Sequence, residues 1–130
     1  MYLCVDFDGT IIDHVYPKIG RPVPHAIKWL KRFNAQGANI ILFTMRSDGK
    51  RDGKVLSEAV IYLKDNGITL FGINENKSQK SWTKSPKAYG DFYIDDSAVG
   101  CPLIHPEGFS RPCVDWESVG EYIESTSIYK

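Results

Sequence analysis

The sequence lacks a long hydrophobic run, an excess of charge of one sign, and the features of a signal peptide. No apolar stretch approaches the ~18 residues that a membrane-spanning helix needs, so we expect no membrane association. The 16 basic and 16 acidic side chains give a formal net charge of zero. General nucleic-acid binders normally carry a basic excess, so this class is disfavoured, although the charge balance does not exclude it. The N-terminus has no charged start, apolar stretch and cleavage site in succession.

Cysteine is also scarce, and its spacing matches neither a metal site nor a disulfide framework. The three cysteines are Cys4, Cys101 and Cys113, an odd number with no metal-ligand pattern. Cys4 lies in an apolar run and is expected to be a small core residue. We expect free thiols, and therefore a protein of the reducing cytoplasm. The length of 130 residues and the apolar fraction of 42% predict a single domain over residues 1–130.

Apolar segments alternate with glycine and proline breaks, in a pattern typical of an α/β domain. Several strands are apolar nearly throughout, as expected when both faces of a sheet are covered. The predicted strands are residues 1–7, 39–44, 70–73, 92–95 and a short 103–105. The predicted helices run from Pro24 to Gly37, from Val55 to Gly67, and over residues 116–124. This alternation predicts a parallel α/β sheet flanked by helices.

Polar side chains follow three of these strands, where each strand ends. Asp6 and Asp8 end the first strand, Thr44 ends the second, and Asp95 and Asp96 end the fourth. In parallel sheets, ligands bind beyond the carboxyl ends of the strands. Acids gathered there repel each other unless a cation is bound, and ligands that are all oxygens suit Mg²⁺ or Ca²⁺. Since Mg²⁺ commonly joins one or two carboxylates to a substrate phosphate, this edge predicts phosphate chemistry.

The spacing of the first two acids permits two chemical roles. Asp6 and Asp8 are two residues apart, so one carboxylate can attack while the other exchanges a proton. Gly9 allows the backbone to turn sharply beside a ligand. His14, just beyond, is expected on the surface. The other aspartates are expected to cap helices and turns; these are Asp13, Asp48, Asp52, Asp65 and Asp115.

Three segments resemble motifs of the haloacid dehalogenase (HAD) superfamily. DFDGT at residues 6–10 resembles its first motif, ILFTMR at residues 41–46 its second, and FYIDD at residues 92–96 its fourth. The likeness extends over roughly residues 1–100 and is greatest to the small, capless HAD hydrolases. It implies a three-layer Rossmann-like fold (HAD-like) with no cap domain, and Mg²⁺-dependent phosphatase activity on a phosphoric monoester.

The resemblance also implies a role for each residue of the motifs. Asp6 would attack phosphorus and form an aspartyl-phosphate. Asp8 would act as general acid and then as general base, and its backbone carbonyl would bind Mg²⁺. Thr44 would hydrogen-bond the phosphoryl group. Asp95 would bind Mg²⁺, and Asp96 would hold the waters of the metal or orient neighbouring groups.

The third motif of the superfamily is a lysine that neutralises the phosphate. Lys87 follows a proline and is nearest to the fourth strand, so we select it, with Lys84 as the alternative. With Thr44, Lys87 would bind the substrate phosphate. Arg46 is open between two interpretations, a group that binds a substrate phosphate or carboxylate and an exposed loop arginine.

The segments between the motifs leave no room for a cap domain. One helix and a loop lie between the first two motifs, and a helix, a strand and the 74–87 loop precede Lys87. The site is therefore expected to be open, unless that loop or a neighbour in a homo-oligomer covers it. An open site admits a small phosphorylated molecule or an exposed phosphate on a larger one.

Three other functions compete with the hydrolase. A phospho-accepting receiver domain needs an aspartate after strand three, where Ile73 and Asn74 stand instead. A catalytically inactive HAD-like regulatory or binding module should have lost Asp6 or Asp8, and both are present. A phosphoryl-transfer mutase usually needs a cap to exclude water.

Overall fold

A four-stranded parallel sheet forms the centre of the structure, a computed structural model that describes residues 1–126. The strand order is β3-β2-β1-β4. The strands are β1 (Tyr2–Val5), β2 (Asn39–Leu42), β3 (Leu70–Ile73) and β4 (Phe92–Ile94). The register pairs Val5 with both Leu42 and Ile94, and Leu42 with Ile73. All four strands therefore reach the same level, and the residues that follow them share one edge.

Three α-helices, a 3₁₀ helix and a small antiparallel hairpin complete the described chain. They are α1 (Ala26–Ala35), α2 (Val55–Asp65), α3 (Trp116–Ser125), the 3₁₀ helix Lys77–Ser81, β5 (Leu103–Ile104) and β6 (Cys113–Val114). The fold is the predicted α/β class, a Rossmann-like arrangement in three layers. The predicted fifth strand is present, but it pairs with β6 outside the parallel sheet.

The two faces of the sheet are covered differently. Leu3 and Val5 belong to the main hydrophobic core, together with buried residues of all three α-helices. Cys4 and Ile41 point to the opposite face and pack with Ala88. Connections between parallel strands are almost always right-handed, so the direction of each step across the sheet decides which face its connection covers. The steps from β1 to β2 and from β2 to β3 go in one direction across the sheet, and the step from β3 to β4 goes in the opposite direction. The segment from β3 to β4, which contains the 3₁₀ helix, therefore covers the second face.

Several aspartates have the structural roles that the sequence predicts. Asp48 accepts hydrogen bonds from the backbone N–H groups of Leu56 and Ser57, at the start of α2. Asp115 caps α3 by accepting from the backbone of Ser118. These bonds satisfy helix N–H groups that have no partner within the helix. The predictions for Asp48 and Asp115 are confirmed.

The described chain adds no second domain above the sheet. Within residues 1–126, the segments between the strands are the helices and loops named above. The carboxyl edge of the sheet is therefore not roofed by a cap domain. None of the helices in this part of the chain combines the length and the apolar character that a membrane crossing requires.

Candidate functional site

A cleft of about 760 Å³ lies at the carboxyl ends of β1, β2 and β4. Its wall contains six residues that the sequence predicts for the site. They are Asp6, Asp8, Thr44, Arg46, Asp95 and Asp96. The backbone explains this convergence, because the N–H of Asp6 donates to the carbonyl of Ile94 at 2.9 Å and continues the β1–β4 ladder.

Three carboxylates in the cleft form a compact cluster. Asp6, Asp95 and Asp96 each place an oxygen so that all three oxygens lie within 4.8 Å of one another. All three side chains are half-buried. Such a set of hard oxygen donors fits Mg²⁺. Asp96, expected only to support the metal site, contributes its own carboxylate to this cluster.

The cluster carries more negative charge than the surrounding protein compensates. Burial, the charge of Asp95 and a hydrogen bond with Asp96 raise the pKa of Asp6 to about 8, against an ordinary value of 3.8. Burial also raises the pKa of Asp96. Without a cation the carboxylates disfavour one another's ionised forms. A divalent cation would remove this repulsion, so the electrostatics of the cluster agree with its geometry.

The turn after β1 shapes the cluster through two residues. Thr10 Oγ1 accepts a hydrogen bond from the backbone N–H of Asp96 at 3.1 Å and donates to Asp6 Oδ2 at 3.0 Å. Gly9 has a φ of +83°, and a Cβ there would lie 2.2 Å from Asp96 Oδ2. Gly9 thus makes room for a carboxylate of the site. Sequence reasoning missed the role of Thr10, although its place in DFDGT was the available signal.

Asp8 has a different environment from that of Asp6. The guanidinium of Arg46 donates two hydrogen bonds of 2.8 Å to the Asp8 carboxylate. Its remaining N–H groups donate to the backbone carbonyls of Pro17, Lys18 and Val55, at 2.9–3.3 Å. All five N–H groups of this arginine are therefore satisfied inside the protein.

The interpretation of Arg46 as an exposed loop arginine is wrong, and its role in substrate binding stays a prediction. Arg46 is only 2% exposed and lies between the rings of Phe7 and Tyr16, 5.0 and 5.1 Å from their centroids. The Tyr16 hydroxyl donates to Asp52 at 2.6 Å. Because every N–H is used within the protein, Arg46 orients Asp8 and joins the two loops that wall the cleft.

Thr44 lies in the cleft as predicted. Its backbone N–H donates to Asn74 Oδ1 at 2.8 Å. Its hydroxyl oxygen accepts from the backbone N–H of Arg46 at 3.0 Å. A hydroxyl that accepts one hydrogen bond still has its own proton to donate. Thr44 can therefore offer an O–H to a ligand beside Asp6.

The two candidate lysines do not line this cleft, contrary to the prediction. Lys87 is exposed, and its Nζ lies 5.2 Å from the centroid of the Tyr93 ring. Within residues 1–126 it has no ion pair to an acid within 4.0 Å. Tyr93 lies two residues before Asp95, so the two side chains point to the same face of β4. Lys87, over the Tyr93 ring, therefore lies on that face but farther from the carboxyl edge of the sheet than Asp95. Lys84 lines a separate cavity of about 320 Å³.

Other cations line the cleft instead, namely Lys50, Arg51 and Arg111. Arg111 belongs to the β5–β6 connection, and nothing in its sequence neighbourhood marked it. The backbone N–H and hydroxyl of Ser110 both donate to Asp13, and this anchor brings Arg111 to the cleft. His14, expected on the surface, is half-buried and also lines the cleft.

Comparison with known proteins gives one informative relative. No protein-family model matches the chain, and no curated protein matches it. A solved structure of a conserved protein from Bacteroides thetaiotaomicron is similar, with a TM-score of 0.74 and 31% sequence identity. The similarity covers 95% of this chain and 89% of that one. Identity at this level over nearly the full length of both shows that the chain belongs to the same family as this conserved Bacteroides protein.

Proposed function

We propose that this protein is a Mg²⁺-dependent phosphomonoester hydrolase of the HAD type, with Asp6 as its nucleophile. One observation carries the proposal. The acids Asp6, Asp95 and Asp96 place three oxygens within 4.8 Å of one another in a cleft that Thr44 also lines, whereas Asp8 is held separately by Arg46. The arrangement separates a metal-binding and attacking group from a proton-transferring group.

The residues of the cluster fit the cofactor that this chemistry requires. Asp6, Asp95 and Asp96 would hold Mg²⁺ through their carboxylates, and the backbone carbonyl of Asp8 is a further proposed ligand. When bound, Mg²⁺ supplies positive charge that offsets the phosphate and the acids. The Thr44 hydroxyl donates a hydrogen bond to a phosphoryl oxygen. Positioning and charge neutralisation are the main needs of phosphoryl transfer.

The reaction has two balanced steps. An oxygen of Asp6 attacks phosphorus, the bond from phosphorus to the ester oxygen breaks, and Asp8 gives the departing oxygen a proton. Water then attacks the aspartyl-phosphate, Asp8 takes its proton, and inorganic phosphate leaves as the Asp6 carboxylate is restored. Arg46 is a positioning residue, because its bidentate contact sets the direction of the Asp8 carboxylate.

The free cysteines and the open cleft support two further parts of the proposal, the cellular compartment and the size of the substrate. The three cysteines are free, which supports a place in the reducing cytoplasm. The cleft opens without a domain above it in the described residues, which suits a small phosphorylated molecule or an exposed phosphate on a larger one.

A second candidate function is a catalytically inactive module that binds a phosphorylated ligand. The position of Lys87 favours it, because the amine lies over the Tyr93 ring and outside the acid cluster. An active phosphatase needs a positive charge near the transferring group, and Lys87 does not supply it from this position. Turnover separates the two candidates.

The decisive experiment measures phosphate release from p-nitrophenyl phosphate. The purified protein should be active with Mg²⁺ and inactive with EDTA. Asp6→Asn should lower kcat by at least roughly 10³-fold, as expected on loss of a nucleophile, with an unchanged circular dichroism spectrum. Asp65→Asn, on the exposed end of α2, is the matched control and should keep full activity. Full activity in Asp6→Asn would reject the nucleophile, and Mg²⁺ binding without turnover would favour the binding module.

A further inference from the structure

We propose that the leaving group of the substrate carries a second anionic group, recognised by Lys50 and Arg111. The inference rests on the proposed function and extends it to the class of substrate. It follows from the side of the acid cluster on which the leaving group must lie, and from the charges that it meets there.

Two cavities meet at the acid cluster. The cleft of about 760 Å³ is lined by Asp6, Asp8 and Asp95 among others. A smaller cavity of about 310 Å³ shares Asp6, Thr44, Met45 and Asp95 with this cleft and is otherwise lined by Phe43 and Asn74. Asp8 lines the larger cleft, and it is not among the residues that line the smaller cavity. Because Asp8 must reach the departing ester oxygen to protonate it, the leaving group lies in the larger cleft.

The larger cleft contains two cations that have no acid within ion-pair distance in the described part of the chain. Lys50 comes from the loop between β2 and α2, and Arg111 from the loop between β5 and β6. Across residues 1–126, neither side chain has an ion pair within 4.0 Å. The other arginines of the cleft are engaged, since Arg46 holds Asp8 and Arg51 lies 3.7 Å from Asp52.

The position of Arg111 relates this charge to the acid cluster. Arg111 lines the same cleft as Asp95 and Asp96. A small leaving group in the cleft would have the acids on one side and Lys50 and Arg111 at its wall.

A leaving group without charge would leave both cations without a partner. A phosphate or carboxylate on the leaving group would instead pair with them, in charge-assisted hydrogen bonds that are stronger than neutral ones. Complementary charge of this kind contributes chiefly to specificity. The cleft thus favours bisphosphorylated molecules and phosphorylated acids over simple phosphate esters.

The first test compares substrates that differ only in this second charge. Glycerol 3-phosphate is compared with 3-phosphoglycerate, and fructose 6-phosphate with fructose 1,6-bisphosphate, all with Mg²⁺. We expect kcat/KM to be at least about tenfold higher for the doubly anionic member of each pair, which corresponds to about 1.4 kcal/mol. The two pairs distinguish a carboxylate from a phosphate as the preferred second anion.

The second test removes each cation. Lys50→Gln and Arg111→Gln should each reduce the preference for the doubly anionic substrate by about 3–10-fold, mainly through KM, as expected for exposed charge contacts. Added salt should reduce it further. Lys64→Gln, an exposed lysine of α2 that does not line the cleft, is the matched control and should keep the preference unchanged.

A binding measurement keeps the inference testable without turnover. Calorimetry with the Asp6→Asn protein in saturating Mg²⁺ should show tighter binding of fructose 1,6-bisphosphate than of fructose 6-phosphate, and adding Arg111→Gln should reduce the difference. If the wild-type protein hydrolyses p-nitrophenyl phosphate but both substrate pairs show equal kcat/KM, the inference is overturned and the proposed function stands. If no ester is hydrolysed, the proposed function fails, and equal binding of the two sugars would then overturn the inference as well.

Discussion

Asp6 and Asp8 are two residues apart in one motif, yet the protein treats their charges in opposite ways. Asp8 is paired with a buried arginine whose every N–H is satisfied. Asp6 faces two further acids, and its pKa is raised to about 8 by burial and by Asp95. Both carboxylates are half-buried, and they differ in their neighbours, because Asp8 has a cationic partner while Asp6 faces other acids. The comparison shows that two acids of one motif can have opposite electrostatic environments.

The largest effect on stability is expected from breaking the ion pair between Asp8 and Arg46. Arg46→Met leaves the Asp8 carboxylate and three backbone carbonyls without their donors. Removing one partner of a buried ion pair typically costs about 3–5 kcal/mol, and we expect a loss of that size in the free energy of unfolding. Urea denaturation followed by tryptophan fluorescence measures it.

An arginine in the same loop provides the control for that measurement. Arg51 also pairs with an aspartate, Asp52, at 3.7 Å, but its side chain is 94% exposed. Arg51→Met should therefore change the free energy of unfolding by less than about 0.5 kcal/mol. Equal effects of the two substitutions would show that the contact between Arg46 and Asp8 contributes no more than a surface pair.

The second effect is a dependence of the stability on pH, which we expect from the raised pKa of Asp6. The folded-state pKa of Asp6, about 8, lies above its ordinary value of 3.8, so the folded protein holds this proton more tightly than the unfolded chain. This contribution to stability is complete below about pH 4 and is lost as the pH rises toward 8. We expect the free energy of unfolding of the EDTA-treated protein, and with it the Tm, to fall over this interval, the free energy by at most about 1.4 kcal/mol per pH unit for one proton.

Two comparisons assign that slope to the acid cluster. Adding Mg²⁺ should raise the Tm most at the upper end of the interval, because the cation binds the ionised acids. Asp6→Asn should flatten the pH dependence and weaken the response to Mg²⁺. Acids with a lowered pKa, such as Asp13, titrate below the interval and do not contribute. A metal-free Tm that rises with pH would contradict the electrostatic account of the cluster.

The smallest effect is expected from a substitution of Gly9, in the turn after β1 that lies against Asp96. Gly9→Ala places a Cβ 2.2 Å from Asp96 Oδ2 at a φ of +83°. Gly37→Ala has the same unfavourable backbone, with a φ of +89°, but open space around the new atom. We expect about 1–2 kcal/mol of destabilisation from the backbone in both, and an additional cost and a weaker Mg²⁺ response only in Gly9→Ala. Identical Mg²⁺ affinities in the two variants would show that Asp96 does not need the space.

The sequence predicted those parts of the site that depend on strands alone. Parallel strands that reach one level place the residues after them together, so Asp6, Thr44 and Asp95 could be located from the ends of apolar runs. The same reasoning predicted all four strands of the sheet and the three α-helices to within a few residues.

Residues delivered by loops were beyond this reasoning. The burial of Arg46 depends on hydrogen bonds to the backbone carbonyls of Pro17, Lys18 and Val55. No local sequence pattern predicts that these segments lie next to one another. Lys87 lies in a connection whose path over the second face of the sheet determines where its amine ends. Arg111 reaches the cleft because Ser110 is anchored to Asp13.

The sequence by itself therefore determined the parallel sheet, the edge at which the acids gather and the chemical type of the cluster. Hydrophobic periodicity and strand direction are local properties, and the register of a parallel sheet converts them into a shared edge. Only the tertiary structure decided which acid is compensated and which cations face the cleft. Those outcomes depend on contacts between loops that are distant in the chain. A buried charge needs a partner within hydrogen-bond distance, and the packing of these loops decides which partner it has.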